Sequence, residues 1–167
     1  MDKETLKQLS SNNDFFDFIN DNLSADTNKL RLKSFKDKSF DVNFAILQID
    51  CKNRIKKKLP EIYGNNKFLF PHILSTEQCT AQEIAKFHAS LLDKNEIVLD
   101  MTAGLCIDTY YISKTVNEVT ALEINPITAS VSSFNMSNLT PNVNVINQDC
   151  IEFIKNTTNH YSSIFID

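Results

Sequence analysis

Glycine is nearly missing from this chain: only Gly64 and Gly104 occur in 167 residues. With so little glycine, each one is expected to mark a backbone requirement. The shortage leaves no room for the Gly-x-Gly-x-x-Gly loop with which a nicotinamide dehydrogenase cradles a pyrophosphate. Long apolar runs are missing too, and none approaches the roughly 20 residues that span a bilayer. The start, Met1-Asp2-Lys3-Glu4, has no basic stretch followed by an apolar one, so no signal peptide is predicted. The four cysteines, Cys51, Cys79, Cys106 and Cys150, are widely spaced. Without a Cys-x-x-Cys or a Cys/His cluster they argue against a disulfide framework and against a metal site. These absences together predict a cytoplasmic protein with reduced thiols, no metal and no membrane partner.

What is present fits an ordinary globular protein, with 42% hydrophobic and 23% charged residues. A chain of this length can bury one core plus a small accessory unit. The net charge of −4 hides a polarity. Segment 29–58 holds 10 of the 17 basic residues: Lys29, Arg31, Lys33, Lys36, Lys38, Lys52, Arg54, Lys56, Lys57 and Lys58. It holds three acids, Asp37, Asp41 and Asp50, and so carries a surplus of seven positive charges. Such a surplus steers a polyanion to one face, or simply keeps a helix solvated. At 100° per residue Lys52, Lys56 and Lys57 are expected on one face, with Ile55 and Leu59 pointing away.

Residues 1–66 read as a helical N-terminal region. Phe15, Phe16, Phe18 and Ile19 recur near helical spacing behind Asn13 or Asp14 as the expected cap. A second helix is predicted over 41–58, lined by Phe44, Leu47, Ile55 and Leu59 and ended by Pro60. Gly64-Asn65-Asn66 is an expected turn. From residue 67 the pattern changes. Phe68-Leu69-Phe70-Pro71 is extended, and a helix is predicted from Ser75 or Thr76 to Asp93. Its expected apolar stripe is Ile84, Phe87, Leu91 and Leu92, with Thr80-x-x-Glu83 as a capping box. Strands follow at 97–100, 119–123, 143–146 and 163–166, separated by helices at 108–115, 125–137 and 150–155. This alternation predicts an α/β, doubly wound parallel sheet in the order 3-2-1-4.

Ligands of such sheets bind beyond the carboxyl ends of the strands. The first predicted strand ends at Asp100, and Gly104 follows in a loop where backbone can approach a ligand. The second ends at Glu123, a carboxylate able to accept two hydrogen bonds from ribose hydroxyls. The third is followed by Asp149, whose side chain could meet an adenine amino group. Singly, each has a plain alternative: a strand-end cap, a solvated acid, a helix N-cap. Three acids at the ends of three consecutive strands, with a single glycine, favour S-adenosylmethionine over a dinucleotide.

Three stretches carry a resemblance. Val98-Leu99-Asp100-Met101-Thr102-Ala103-Gly104-Leu105-Cys106-Ile107-Asp108-Thr109 resembles motif I of class I methyltransferases. Thr120-Ala121-Leu122-Glu123-Ile124-Asn125 resembles the acidic motif after it, and Asn147-Gln148-Asp149-Cys150 the adenine-contacting motif. The resemblance implies S-adenosylmethionine as cofactor, held by Asp100, Thr102, Gly104, Asp108, Glu123, Asp149 and Cys150. Cys106 stands at a second glycine position, where its side chain is expected to crowd the cofactor's amino-acid end. No histidine is an expected catalyst; His88 reads as a surface or packing residue.

A narrower resemblance rests on Ala45-Ile46-Leu47-Gln48-Ile49, Lys56-Lys57-Lys58-Leu59-Pro60 and Leu74-Ser75-Thr76-Glu77-Gln78-Cys79-Thr80. These are similar to a bacterial family of RNA methyltransferases with a helical N-terminal region and a C-terminal THUMP-like domain. It implies an RNA substrate, met through segment 29–58. In the resembling families an Asp-Pro or Asn-Pro-Pro catalytic motif begins where Asp167 stands, so Asp167 is the expected catalytic residue. Class I methyltransferases build about seven strands and four fit here, so the chain is expected to be truncated, with residues 67–167 forming the front of the methyltransferase domain. A binding module without turnover and another Rossmann-type nucleotide-dependent enzyme are the alternatives.

Overall fold

The computed structural model describes all residues except Met1, Asp2 and Asp37, so one acid of the basic segment lies outside the described residues. The chain divides into two compact units, one up to residue 78 and one of residues 79–167.

The first unit is helical: α1 (Lys3–Ser10), α2 (Asn13–Asp21), α3 (Thr27–Arg31), α4 (Val42–Ile55), α5 (Pro60–Tyr63) and α6 (Ile73–Gln78). Short polar side chains start three of them. The Asn12 side chain accepts from Phe15 N at 3.2 Å, so the cap of α2 lies one residue before the expected Asn13. Asp26 caps α3, and Asp41 caps α4 by accepting from Asn43 N at 2.8 Å. The core between α2 and α4 is aromatic. Phe15 stacks on Phe44 with ring centroids 5.9 Å apart and meets Phe40 edge-on at 5.6 Å. Ile46, Ile49, Ile55 and Leu59 are fully buried around them.

Gln48 is the polar member of this core. It is buried, its Nε2 donates to Phe70 O at 3.0 Å, and its Oε1 accepts from Phe70 N at 2.8 Å. A single side chain thus satisfies both backbone groups of a buried extended segment that has no strand partner. Helix α4 also corrects the expected basic face. Ile55 and Leu59 are buried as expected, but Lys52 is only 3% exposed. Its Nζ donates to Asn65 O at 3.2 Å and lies 6.0 Å from the Tyr63 ring. Burial lowers its pKa. The turn at 64–66, which follows Pro60, folds back over that face of α4 and takes Lys52 out of solvent. Lys58 Nζ donates to Glu77 O at 2.9 Å, Arg54 pairs with Glu77 at 2.6 Å and Arg31 with Asp50 at 2.5 Å. Lys29, Lys33, Lys36, Lys56 and Lys57 are exposed.

The second unit contains α7 (Gln82–Ser90), β1 (Ile97–Asp100), α8 (Ile107–Ser113), β2 (Glu118–Glu123), α9 (Pro126–Leu139), β3 (Val143–Asn147), α10 (Cys150–Asn156) and β4 (Ser163–Phe165). All pairings are parallel and the order is β3-β2-β1-β4, as expected from the sequence. Leu99 pairs with Thr120 on one side and Ile164 on the other, which makes β1 a central strand with both neighbours parallel. Its Val98 and Leu99 are fully buried. Asn125 caps α9 and Pro126 opens it, again as expected.

Helix 75–93 is corrected. Two helices, α6 and α7, replace one, because residues 79–81 leave the helix and Ala81 is extended; Ala81 is the N-cap of α7 and no side chain caps it. The expected stripe faces solvent: Ile84 is 52% exposed, Phe87 60% and Leu91 68%. The buried side is Gln82, Ala85 and Ala89, and the two alanines let α7 lie close to α8.

Replacing Gln48 with methionine keeps the volume and leaves Phe70 N–H and C=O buried without partners. Urea denaturation should show a loss of about 3 kcal/mol. A loss below about 0.5 kcal/mol, the size of a surface change, would mean that the 68–71 segment does not need this clamp.

Candidate functional site

Strand β1 ends in a carboxylate with almost no contact with water: Asp100 is 1% exposed. Both of its oxygens are used. Oδ1 accepts from Thr102 N at 3.1 Å and Oδ2 from Thr109 Oγ1 at 2.5 Å. One side chain therefore ties the loop after β1 to the first turns of α8. Ala103 N donates to Leu122 O at 3.0 Å, and Ser132 Oγ donates to Gly104 O at 2.9 Å, so β2 and α9 hold the same loop.

Two residues of this loop are left-handed, Gly104 with φ +50° and Cys106 with φ +59°. At Gly104 a Cβ would find only Thr102 O, at 3.9 Å. Conformation, not space, selects glycine there. Gly64 is the counter-example to the expected rule, since its φ of −69° is open to any residue. Cys106 adopts a conformation that costs a non-glycine residue about 1 kcal/mol. Its side chain is fully buried, so the expectation that it crowds the cofactor is corrected. Burial pushes its thiol up to about 12, with the Asp100 carboxylate adding to the effect, so it stays neutral and is no nucleophile.

The other strand-end acids each do two things. Glu123 Oε1 accepts from Asn125 N at 2.6 Å and shapes the turn into α9. Asp149 Oδ1 accepts from Ile151 N at 2.9 Å and Glu152 N at 3.0 Å as the N-cap of α10. In both, the second oxygen has no protein hydrogen bond among the described residues. Asn147 locks the two strand ends together, its Nδ2 donating to Glu123 O at 2.8 Å and Ile124 O at 2.9 Å. Cys150 packs against Leu99, Met101 and Leu122.

Asp108 is 8% exposed and bonded to His88 Nδ1 at 2.8 Å. The His88 ring lies 5.3 Å from that of Phe165. His88 is thus a packing residue, as expected, with a charged partner that sequence reading missed. Asp167 N donates to Thr102 Oγ1 at 3.0 Å, and its Oδ2 accepts from Thr80 Oγ1 at 3.4 Å. Thr109, Ser132 and Asn147 also went unread. The available signal was a hydroxyl or amide side chain within the resembling motifs or on the helix that follows them.

The carboxyl ends of β1, β2 and β3 thus present a glycine loop and carboxylate oxygens, a set that accepts hydrogen bonds and favours a cation. Among the described residues no group of three His, Cys, Asp or Glu could hold a metal ion, and no helix is long and apolar enough to cross a membrane.

The family model of ribosomal RNA adenine dimethylases matches residues 52–163, more than half of the chain. The chain belongs to the ribosomal RNA adenine dimethylase family. The match takes in Asp100, Gly104, Glu123 and Asp149 and stops short of Asp167. No curated protein matches by sequence. A candidate methyltransferase from Porphyromonas gingivalis W83 aligns with a TM-score of 0.76 at 22% identity over 93% of this chain. The chain spans 38% of that protein's length. This likeness shows the fold. An rRNA methylase from Streptococcus thermophilus aligns with a TM-score of 0.42 at 24% identity, covering 50% of this chain and 51% of the other.

Burial raises the Asp100 carboxyl from 3.8 to about 6, with Asp108 and Asp167 adding to the rise and the two hydrogen bonds opposing it. The folded state therefore holds this proton more tightly than the unfolded one. The resulting stability is full below the ordinary value and is lost as pH rises through about 6. Its size is about 3 kcal/mol. Denaturation of wild type and Asp100→Asn at pH 4, 5 and 7 should show the difference between them shifting against wild type by that amount. A difference that stays constant across this range would refute the raised pKa.

Proposed function

We propose that this chain forms the cofactor-binding part of an S-adenosylmethionine-dependent RNA methyltransferase. The observation that carries the reading is the set of acids at the carboxyl ends of β1, β2 and β3 beside a left-handed glycine loop, in a chain of a ribosomal RNA methylating family. The residues fit the cofactor. Glu123 keeps an oxygen for the ribose hydroxyls and Asp149 one for the adenine amino group. Gly104 lets backbone approach the amino-acid part. Asp100, with both oxygens engaged, acts by holding the Thr102–Gly104 loop and not by direct contact. Thr102 and Asp108 belong to the same loop and helix start, and Cys150 to the packing behind the adenine end.

The bound cofactor supplies a methyl group activated on a sulfonium. What the protein must add is orientation of an acceptor in line with that methyl, and proximity can supply much of the barrier reduction. The family's name points to an adenine of ribosomal RNA as acceptor. Asp167 is the proposed catalytic residue, its carboxylate accepting a hydrogen bond from the acceptor amine. For the RNA itself we propose Lys29, Lys33, Lys36, Lys56 and Lys57 as phosphate contacts. Lys52, buried, is outside that set. We place the protein in the cytoplasm, a reading that rests on the sequence, whose four widely spaced cysteines make no disulfide framework.

Calorimetric titration with S-adenosylhomocysteine tests the cofactor reading. Glu123→Ala should weaken binding by about 1.5–3 kcal/mol, the size of a hydrogen bond to a charged group. Equal affinities of wild type and variant would remove Glu123 from the site. Filter binding of structured RNA across a salt series tests the basic segment. A Lys33/Lys36/Lys57→Glu variant should bind more weakly, with the slope against log salt reduced by about 0.7–0.9 per lost contact. Lys52→Met should lower stability and leave the slope alone. An unchanged slope in the triple variant would move the RNA site elsewhere.

A further inference from the structure

Strands β2 and β3 run side by side in register as far as Glu123 and Asn147. Beyond that pair β2 turns away into α9 at Asn125, and β3 into α10 at Asp149. The two acids read as holding the nucleoside half of the cofactor therefore stand where the two chains part. A backbone bond spans the parting, from Gln148 N to Glu123 O at 3.2 Å. Two more bonds come from one side chain: Asn147 Nδ2 donates to Glu123 O at 2.8 Å and to Ile124 O at 2.9 Å.

Packing supplies no substitute for these bonds. Asn147 is exposed and Ile124 is 66% exposed, so no core wedges either of them. The side chain of Glu123 is tied to Asn125 N at 2.6 Å, and that of Asp149 to the first amides of α10. Each of those ties is local. It fixes an acid within its own turn and does not fix one turn against the other. The bridge also has a chemical requirement. Two carbonyl oxygens need two hydrogens from one short side chain, which an amide nitrogen has and an aspartate, a serine or a leucine does not. The Gly104 loop has separate anchors, Ser132 Oγ on Gly104 O and Ala103 N on Leu122 O. The site is thus fastened in two halves by different residues.

We propose that Asn147 is a positioning residue: it fixes the separation of Glu123 and Asp149, and so sets the affinity for the nucleoside half of the ligand without acting on the amino-acid half. This inference rests on the cofactor reading above. Ribose hydroxyls and an adenine amino group belong to one nucleoside of limited reach. Two acids can accept from both only at a matching separation. With the bridge in place that separation exists before the ligand arrives. Without it the two turns move independently, and ordering them becomes part of the cost of binding.

Asn147→Leu removes both donated hydrogens, keeps the side chain's approximate volume and adds no charge. Calorimetry compares it with wild type for two probes, S-adenosylhomocysteine and 5′-methylthioadenosine, which lacks the amino-acid part. Both affinities should fall by the same factor, about tenfold, the size expected for a pair of net hydrogen bonds. Ser132→Ala, which frees the Gly104 loop, should weaken S-adenosylhomocysteine and leave methylthioadenosine alone. A lowered melting temperature with both affinities unchanged would make Asn147 merely structural and overturn the proposal. A loss confined to S-adenosylhomocysteine would overturn it too. If Asn147→Leu does not fold, Asn147→Asp takes its place with the same losses expected; if neither folds, Asn147 is a folding residue and the proposal fails. If wild type binds S-adenosylhomocysteine but not methylthioadenosine, the nucleoside half is not what the acids hold, and the proposal fails. If both probes bind wild type and Asn147→Leu equally, the proposal fails while the cofactor reading stands. If neither probe binds wild type, both fail together.

Discussion

A buried carboxylate at the end of the central strand organises the second unit. Asp100 sits where β1 leaves the sheet, flanked by β2 and β4, and water cannot solvate it there. A charged or neutral acid in that position needs donors, and the chain provides them from its own next nine residues: Thr102 N and Thr109 Oγ1. Satisfying both bends the chain sharply between them. That bend requires the two left-handed residues, Gly104 and Cys106. The loop's conformation is therefore set from within by the acid it follows, while Thr102 stays exposed on it. Glu123 and Asp149 repeat the device less completely. Each spends one oxygen on the amides of the helix that follows and keeps the other.

This division of labour explains what was readable. The strands were legible because β1 and β2 are short apolar runs ended by an acid, and Asn125-Pro126 is a helix start with a local mechanism. The three acids were legible because each lies at the end of a readable strand. For two of them the structure shows the plain alternative: Asp100 caps the turn after β1 through Thr102 N, and Asp149 is the N-cap of α10. Ser132, 28 residues beyond Gly104, and Asn147, 24 residues beyond Glu123, were not readable, since nothing local signals so distant a hydrogen bond.

The two misread helix faces have a common cause. Periodicity identifies which residues share a side of a helix but not which side the fold covers. On α7 the larger residues, Ile84, Phe87 and Leu91, lost to Ala85 and Ala89, because a close approach to α8 favours small side chains. On α4 the ring of Tyr63 and the carbonyl of Asn65 cover Lys52, although helix geometry alone groups it with exposed Lys56. In both cases the deciding partner lies outside the helix being read. Cys106 shows the same limit at a single residue. A side chain at a glycine position looked obstructive, yet the left-handed backbone turns it into the core.

Charge separation along the chain then acquires a physical sense. Residues 79–167 hold ten acids against four lysines, whereas segment 29–58 has its surplus of seven positive charges. The two proposed ligands have opposite needs. A sulfonium is drawn by carboxylates that RNA phosphates would avoid, and phosphates are drawn by lysines that would repel a sulfonium. One mixed surface would serve neither. At physiological salt, fields between exposed charges fade over about 8 Å. Each ligand is then met by the charges of its own segment, provided that each segment limits charges of the opposite sign. In segment 29–58 Arg31 neutralises Asp50 and Asp41 is engaged as the cap of α4, and among the described residues no lysine or arginine is bonded to Asp100 or Asp108.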